Sequence, residues 1–535
     1  MPDHRRFVAT ARARRMRAVI AASLFGTLSG GVAAAANDSL NVVRDLGSRV
    51  GPIIGSALAC RDIARPRIQV IVEKFQTVIR EASTTDVDRD ELTRLLDRYV
   101  ADGRSAVTSG RMDCRGAERQ LANLEQSIAS PPQVTSGLPE VTLAPPAAMA
   151  ATAPTQTLPP PMNVHGVTQS DIKLGIVMPF SGTTKEVGRQ MKLGIDAAFN
   201  RANETGGVNG RMLKLIAADD GHEPTRTLEA MKQLYEKEQV FGFIGNLGTP
   251  TATVAIPYAL ERRALLFASF TGANVVRHDP PDRYVFNFRP SYAEETQTIV
   301  NYLIKVRRLQ PRQIAVFAQN DSYGDAGFAG VAKAFRTIGA NDTGILRVGY
   351  ARNTVDVNDA INQIKLQKTP IRAVVMVANA RAAAKFIENG HDLFPGMIYA
   401  NISAVGSTAL ASELMLLGPR YTEGVMVTQA VPGVSGYSSL VLEYKNALNK
   451  YFPGEAPDYT SLEGYISATI LIQGLKRVGP TFDTETLVDT LENMSNLDLG
   501  LGTQLGYGRA EHQASHKIWG TALDATGTFQ PIELE

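Results

Sequence analysis

Two stretches decide the fold class: DIKLGIVMPFSG at residues 171–182 and GFIGNLGTPT at residues 242–251. In the first, Ile172 to Phe180 is a near-continuous apolar run of strand length, stopped by Ser181-Gly182. An amphipathic stretch follows it, with Met191, Ile195, Ala198 and Phe199 on one face. In the second, Val240 to Ile244 is apolar, the glycine-rich turn Gly245-Asn246-Leu247-Gly248 breaks it, and a helix opens near Pro250. A short buried strand running into a helix is the unit of a parallel sheet with helical crossovers.

The unit recurs in both directions. Met212 to Ala218 reads as a strand, followed by a helix through Leu228, Met231 and Leu234, and Leu265 to Phe270 reads as another strand. The cycle then restarts at Ile314 to Phe317, Ile345 to Tyr350, Val374 to Ala378 and Met397 to Ile402, with helical segments between. Two successive sets imply an α/β fold of two lobes, each a parallel sheet covered by helices. In such sheets ligands collect just past the carboxyl ends of the strands. There stand Phe180-Ser181-Gly182, Thr249-Pro250-Thr251, Phe270-Thr271-Gly272-Ala273 and Asn320-Asp321-Ser322-Tyr323-Gly324. A hydroxyl such as that of Thr249 at a helix start either caps the helix or, with the free N–H groups, seats a carboxylate. Tyr323 is either core or a pocket wall.

Upstream the composition changes. Residues 131–162 hold nine of the 28 prolines and one charge, Glu140, so they form a linker that cannot bury a core. Residues 37–130 read as a small helical domain. Ile68, Ile71, Val72, Phe75, Val78 and Ile79 form one stripe, Leu92, Leu95, Leu96 and Tyr99 a second, and Leu121, Leu124 and Ile128 a weaker third. Asp88 with Glu91 suggests the start of the second helix, and Gly103 and Gly110 suggest breaks. The mixed-charge surface of this segment carries no chemistry of its own, and docking of a partner protein is one reading of it.

Residues 1–36 are laid out as a signal peptide: six arginines, an apolar run from Ala18 to Leu28, then Ala33 to Ala36. A spanning helix needs roughly 20 apolar residues, so this run is too short for one. Export to the periplasm follows, and in an exported chain the only two cysteines, Cys60 and Cys114, are expected to pair. Closing that loop would stabilise the helical domain by about 4 kcal/mol in the chain-entropy model.

The 535 residues carry a formal charge of +2 from 55 basic and 53 acidic side chains. Six of the basic residues and one acid lie in residues 1–36, so the remainder is slightly acidic and has no overall electrostatic attraction to nucleic acid. No phosphate-binding loop, Gly-x-Ser-x-Gly elbow or His-Glu-x-x-His helix is present, and the chain reads as a non-enzyme without cofactor. His512 and His516, four apart beside Glu511, have the spacing of two ligands on a helical face, or form a surface pair in a terminal hairpin.

Taken in order, Ile172-Lys173-Leu174-Gly175, Ser181-Gly182, Gly206-Gly207-Val208-Asn209-Gly210, Asp219-Asp220, Gly245 to Thr251, Thr271-Gly272-Ala273 and Ser322-Tyr323-Gly324 carry a resemblance. Residues 171 to about 530 resemble the leucine/isoleucine/valine-binding-protein family, type I periplasmic solute receptors of ABC importers. The resemblance implies two lobes joined by three hinge strands. The chain would cross near Pro290, Val431 and Gly506, so that residues 171–290 and 432–505 form one lobe and 291–431 and 506–535 the other. It also implies closure on a small solute and docking of the closed form on an inner-membrane permease. Carried over, Thr249 would hold a ligand carboxylate, and Phe270, Thr271 and Gly272 would add contacts beside Ser181. Tyr323 would close over the ligand, and Asn379 and Ser403 would line the second lobe.

The chain departs from the pattern in three places. Ser403 stands where amino-acid receptors usually place an acid, Gly272 lacks a hydroxyl often found there, and His222 and Gly248 replace the family's frequent disulfide. Either another acid meets a ligand ammonium, with Glu294 and Glu295 nearby, or the ligand has none. The resemblance supports an importer subunit. A sensor signalling through residues 37–130, or an assembly protein that has lost its ligand, are the alternatives, and residues 37–162 lie outside the resemblance.

Overall fold

The computed structural model describes residue 47 and residues 50–83, 86–109, 112–129 and 163–534. Residues 1–36, which the sequence reading expects to be a signal peptide, residues 131–162, expected to be a linker, and Gly110 lie outside the described residues. The chain divides into two compact units, one before and one after residues 131–162.

In the first unit, residues 50–59 are helical, followed by α1 (Arg65–Ala82), α2 (Asp86–Thr108) and α3 (Cys114–Ala129). The apolar stripes become the core: Ile54, Ile68, Ile71, Phe75, Ile79, Leu92, Leu96 and Leu121 are buried together. Each such side chain contributes about 1.5–3 kcal/mol. Cys60 and Cys114 are disulfide-bonded, which ties the end of the first helix to the start of α3. Gly103 breaks nothing. It lies inside α2, where a Cβ would come within 2.2 Å of the Pro52 carbonyl oxygen, and a Cβ on Gly55 would come within 2.0 Å of Val100 O. Glycine is needed at both positions because the two backbones touch there.

The second unit holds two sheets. Strands β1 (Asp171–Met178), β2 (Met212–Asp219), β3 (Gly242–Ile244), β4 (Leu265–Phe267) and β5 (Val285–Phe286) form a parallel sheet in the order β2-β1-β3-β4-β5. Between them run α4 (Lys185–Glu204), α5 (Pro224–Lys232) and α6 (Thr249–Glu261). The chain then passes through Pro290 into α7 (Tyr292–Asn301), whose Ser291–Glu294 capping box fixes its start.

The second lobe contains β6 (Ile314–Gln319), α8 (Ser322–Thr337), β7 (Leu346–Tyr350), α9 (Asn358–Lys365), β8 (Ala373–Val377), α10 (Ala380–His391), β9 (Ile398–Asn401), α11 (Ser407–Leu417) and β10 (Met426–Gln429). From Val431 the chain returns to the first lobe as α12 (Ser439–Tyr451), α13 (Tyr459–Val478) and α14 (Thr484–Glu492). Helix α13 lies against α4, where a Cβ on Gly194 would meet Ser461 O at 1.8 Å. The final hairpin, β11 (Trp519–Leu523) and β12 (Phe529–Ile532), adds antiparallel edge strands to give the order β12-β11-β10-β9-β8-β6-β7.

The third crossing comes later than Gly506. Leu505, Tyr507 and Ala514 belong to the first lobe's core, and Tyr507 meets the rings of Phe267 and Phe286 at 6.1 and 5.2 Å. Ala514 N and Ser515 N donate to Asn287 O and Phe288 O, so the chain leaves this lobe only after Ser515. Among the described residues no helix is long and apolar enough to cross a membrane.

Candidate functional site

The turn after β3 is built by hydrogen bonds before any side chain reaches the cleft. Asn246 Oδ1 accepts from Val177 N at 3.1 Å, Asn246 O accepts from Phe270 N at 2.7 Å, and Gly248 at φ 107° delivers the chain into α6. This places Thr249 beside Thr271, their hydroxyls 2.8 Å apart and both side chains buried. Gly272 has no side chain because the Tyr292 ring takes the space: a Cβ there would sit 2.4 Å from Tyr292 Cδ1. Tyr323, whose N–H is held by Asp321 Oδ1 at 3.0 Å, packs its ring 5.6 Å from that of Tyr292. Its pKa lies well above the ordinary tyrosine value because burial disfavours the phenolate. Thr249, Thr271, Gly272 and Tyr323 are thus gathered around Tyr292.

Phe270 and Ser403 meet at a second, charged cluster. Arg289, 1% exposed, directs Nε and Nη2 onto the two carboxylate oxygens of Glu463 at 3.0 and 3.1 Å. Nη2 also donates to Ser403 Oγ at 3.0 Å, and the guanidinium lies 4.0 Å over the Phe270 ring. Ser403 in turn donates N–H and Oγ–H to Glu295 at 2.8 and 3.0 Å, and Glu295 also accepts from Thr428. Burial works against the Arg289 charge, but Glu463 and Glu295 outweigh it and raise its pKa. Burial also pushes Glu463 up, with Arg289 opposing. Phe270, Arg289, Ser403 and Glu463, with Gln429 and Tyr459, line a cavity of about 10 Å³, the room of roughly one water.

The remaining expected residues lie elsewhere. Asn379 is tied into the second lobe, its N–H to Tyr350 Oη and its Nδ2 to Gln319 Oε1, each at 2.9 Å. Ser181 is exposed and donates to Asp219 Oδ2 at 2.6 Å, apart from the other groups. Glu294 caps α7 and pairs with His516 at 2.6 Å, whereas Glu295 reaches the cleft floor. His512 and His516 are not on a helix. His512 stacks on Phe286 and hydrogen-bonds Val285 O, and among the described residues no His, Cys, Asp and Glu group is arranged to hold a metal. His222, 2% exposed, fills the space beside Gly248, where a Cβ would lie 2.7 Å from Nε2.

The sequence reading missed Arg289 and Glu463. A signal for Glu463 existed: it is the only charge between Asp458 and Lys476 in an otherwise apolar and small-residue helix. Arg289, beside the hinge proline, offered no comparable cue.

The lobes are in contact across the mouth of the cleft. Glu223, after β2, accepts from Arg352 Nη2 at 3.0 Å and from Asn353 Nδ2 at 2.6 Å, both past β7. Thr183 Oγ1 reaches Asn353 Oδ1 at 3.5 Å. This is a closed two-lobed arrangement with hydrogen-bonding groups turned inward.

A family model described as periplasmic binding protein matches residues 171–528. The chain belongs to this family. A solved structure of a possible leucine/isoleucine/valine-binding protein from Rhodopirellula baltica is 34% identical, with TM-score 0.65, covering 70% of this chain and 98% of that one. The Leu/Ile/Val-binding protein homolog 3 of Brucella melitensis is 22% identical over 62% of this chain and 86% of its own length. A branched-chain amino acid transporter substrate binding protein from Streptococcus pneumoniae, solved with isoleucine, shares the fold at 15% identity and TM-score 0.57, covering 68% of this chain and 98% of that one. The family match begins at residue 171, and the N-terminal helical unit lies outside it.

Proposed function

We propose that this protein is the periplasmic solute-binding component of an ABC importer of the branched-chain-amino-acid type, taking a small amino-acid-like, carboxylate or polar ligand between its lobes. The observation that carries the reading is the cleft itself: two lobes on three connections, closed over buried polar groups contributed by both. Such a receptor binds by excluding water around preformed donors, and its closed form is what a permease recognises. The site residues are Thr249, Thr271, the backbone of Phe270 and Gly272, Tyr323 and Ser403, with Asn379 and Ser181 further out. The family relationship and the absence of a nucleophile–base pair in the sequence support a binding role over a catalytic one.

A thermal-shift screen of the full chain against amino acids, small carboxylates, amides and neutral apolar solutes tests this. A ligand at 100 times its dissociation constant adds about 2.7 kcal/mol of stability. A reproducible upward shift with one solute class is the expected result. No shift across the panel moves the weight to an assembly role on the same fold.

The separately packed, disulfide-tied helical unit favours one second reading, a sensor that passes the closed state to a partner protein. Removal of residues 37–162 separates the two: an importer subunit keeps uptake, whereas a sensor keeps binding and loses its response.

A further inference from the structure

The third crossing between the lobes carries a histidine that belongs to neither lobe's core. Up to Ser515 the chain is hydrogen-bonded to Asn287 and Phe288 in the first lobe, and from Ile518 it packs against the core of the second. His516 stands between them, half-exposed, with Nδ1 2.6 Å from Glu294 Oε1 and Nε2 3.3 Å from Glu511 Oε1. Glu294 starts α7 and belongs to the second lobe. Glu511 closes a tight turn with Gly508, next to Tyr507 in the core of the first lobe. One imidazole thus meets two carboxylates, one from each side of the hinge.

This geometry sets the protonation state of the ring. Glu294 Oε2 accepts from Ser291 N, Ser291 Oγ and Gln513 Nε2, so the group is a carboxylate, and its other oxygen also needs a donor. Burial works against that charge, but hydrogen bonds from His516, Ser291 and Gln513 hold the Glu294 pKa down at about 2. Gln513 Nε2 lies 2.9 Å from His516 Nδ1, yet its two hydrogens are spent on Glu294 and on Ser515 O, which leaves the ring to donate. A neutral imidazole donates from one nitrogen, an imidazolium from both. The hydrogen bond to Glu294 accordingly raises the His516 pKa above its ordinary value; burial opposes the rise, Glu511 adds to it and the Arg277 charge opposes it.

We propose that His516 is a pH-sensitive clasp on the hinge. Protonated, it joins Glu294 of the second lobe to Glu511 of the first and favours the closed arrangement. Without that proton it keeps Nδ1–H on Glu294 but turns the Nε2 lone pair toward Glu511, which cuts the link between the lobes. The contribution is complete below the ordinary histidine value of about 6.5 and is lost as pH rises through the raised value of the folded state. Glu294 and Glu511 stay ionised over that range, and Arg277, whose pKa burial lowers to about 10, stays charged. The inference rests on the receptor reading above for a hinge that opens and closes, and adds a control to it.

Pulsed electron paramagnetic resonance on the full chain tests it, with one spin label on each lobe at Lys232→Cys and Lys333→Cys. Both positions are exposed, and the two native cysteines are bonded to each other and do not take the label. The expected result is two distance populations whose closed-to-open ratio falls by at least about threefold between pH 6 and pH 8.5. His516→Gln and Glu511→Gln, each at a half-exposed or exposed side chain, are each expected to abolish that fall. Two populations in a ratio that ignores pH, or a fall that survives in either variant, overturn the clasp and leave the receptor reading standing. A single population unchanged by pH and by every solute of the screening panel removes the moving hinge, and both readings with it.

Discussion

Single residues carry consequences that can be measured one at a time. His222 is buried with no hydrogen bond to either ring nitrogen among the described residues, and burial, helped by the Arg352 charge, lowers its pKa from 6.5 to about 4. The folded state therefore keeps this ring neutral, while the unfolded chain takes up a proton below pH 6.5. The resulting stability is fully present above pH 6.5 and is lost as pH falls toward 4, by about 3 kcal/mol in all. Denaturant titrations between pH 7 and 4 are expected to show that loss, and His222→Phe to flatten it. Equal slopes in the two proteins would assign the acid sensitivity to other groups.

Tyr323 is buried in a core cluster of the second lobe, so its loss is expected to cost stability as well as any contact with a ligand. Its ring contacts Tyr292, and its hydroxyl lies 3.5 Å from Ala378 O, a marginal hydrogen bond. Tyr323→Ala is expected to weaken solute binding by about 1–3 kcal/mol. A folded variant with unchanged affinity would remove this side chain from the site.

Elements are held by periodicity and by close approach. The stripes on α1 and α2 were legible because a helix repeats its buried face every three or four residues. Gly103 was misread as a break because a glycine inside a helix signals either a stop or a contact, and only the neighbour decides. Here the neighbour is the backbone at Pro52, and Gly103→Ala is expected to destabilise the helical unit by about 1–3 kcal/mol, read by its own melting transition. The antiparallel hairpin β11–β12 escaped the strand-and-helix pattern because neither strand leads into a helix, and β5 because two residues are too few to show a pattern.

At the scale of the whole molecule, a polar contact joins the two lobes across the cleft. Glu223 in one lobe binds Arg352 and Asn353 in the other, with the Glu223 and Arg352 side chains 40% and 26% exposed. Water screens such a pair, so it contributes at most about 1 kcal/mol. Glu223→Ala is expected to speed solute release by no more than about fivefold, and the difference from wild type should shrink as salt is raised. Stopped-flow release at low and high ionic strength reads both effects. Identical release rates at low salt would show that the contact plays no part in closure.

The sequence by itself determined the two-lobed α/β plan, the separate helical unit and the pairing of Cys60 with Cys114, because each follows from local periodicity, composition or a count. It also placed Thr249, Thr271 and Tyr323 at strand ends, where such folds collect ligands. Only the tertiary structure decided that Arg289, Glu295, Ser403, Thr428 and Glu463 share one buried cluster, and that Ser181 does not join it. These residues come from both lobes and from a hinge, separated by up to 174 positions in the chain. A buried charge is recognisable only through its partner, and partners so distant in sequence leave no local pattern to read.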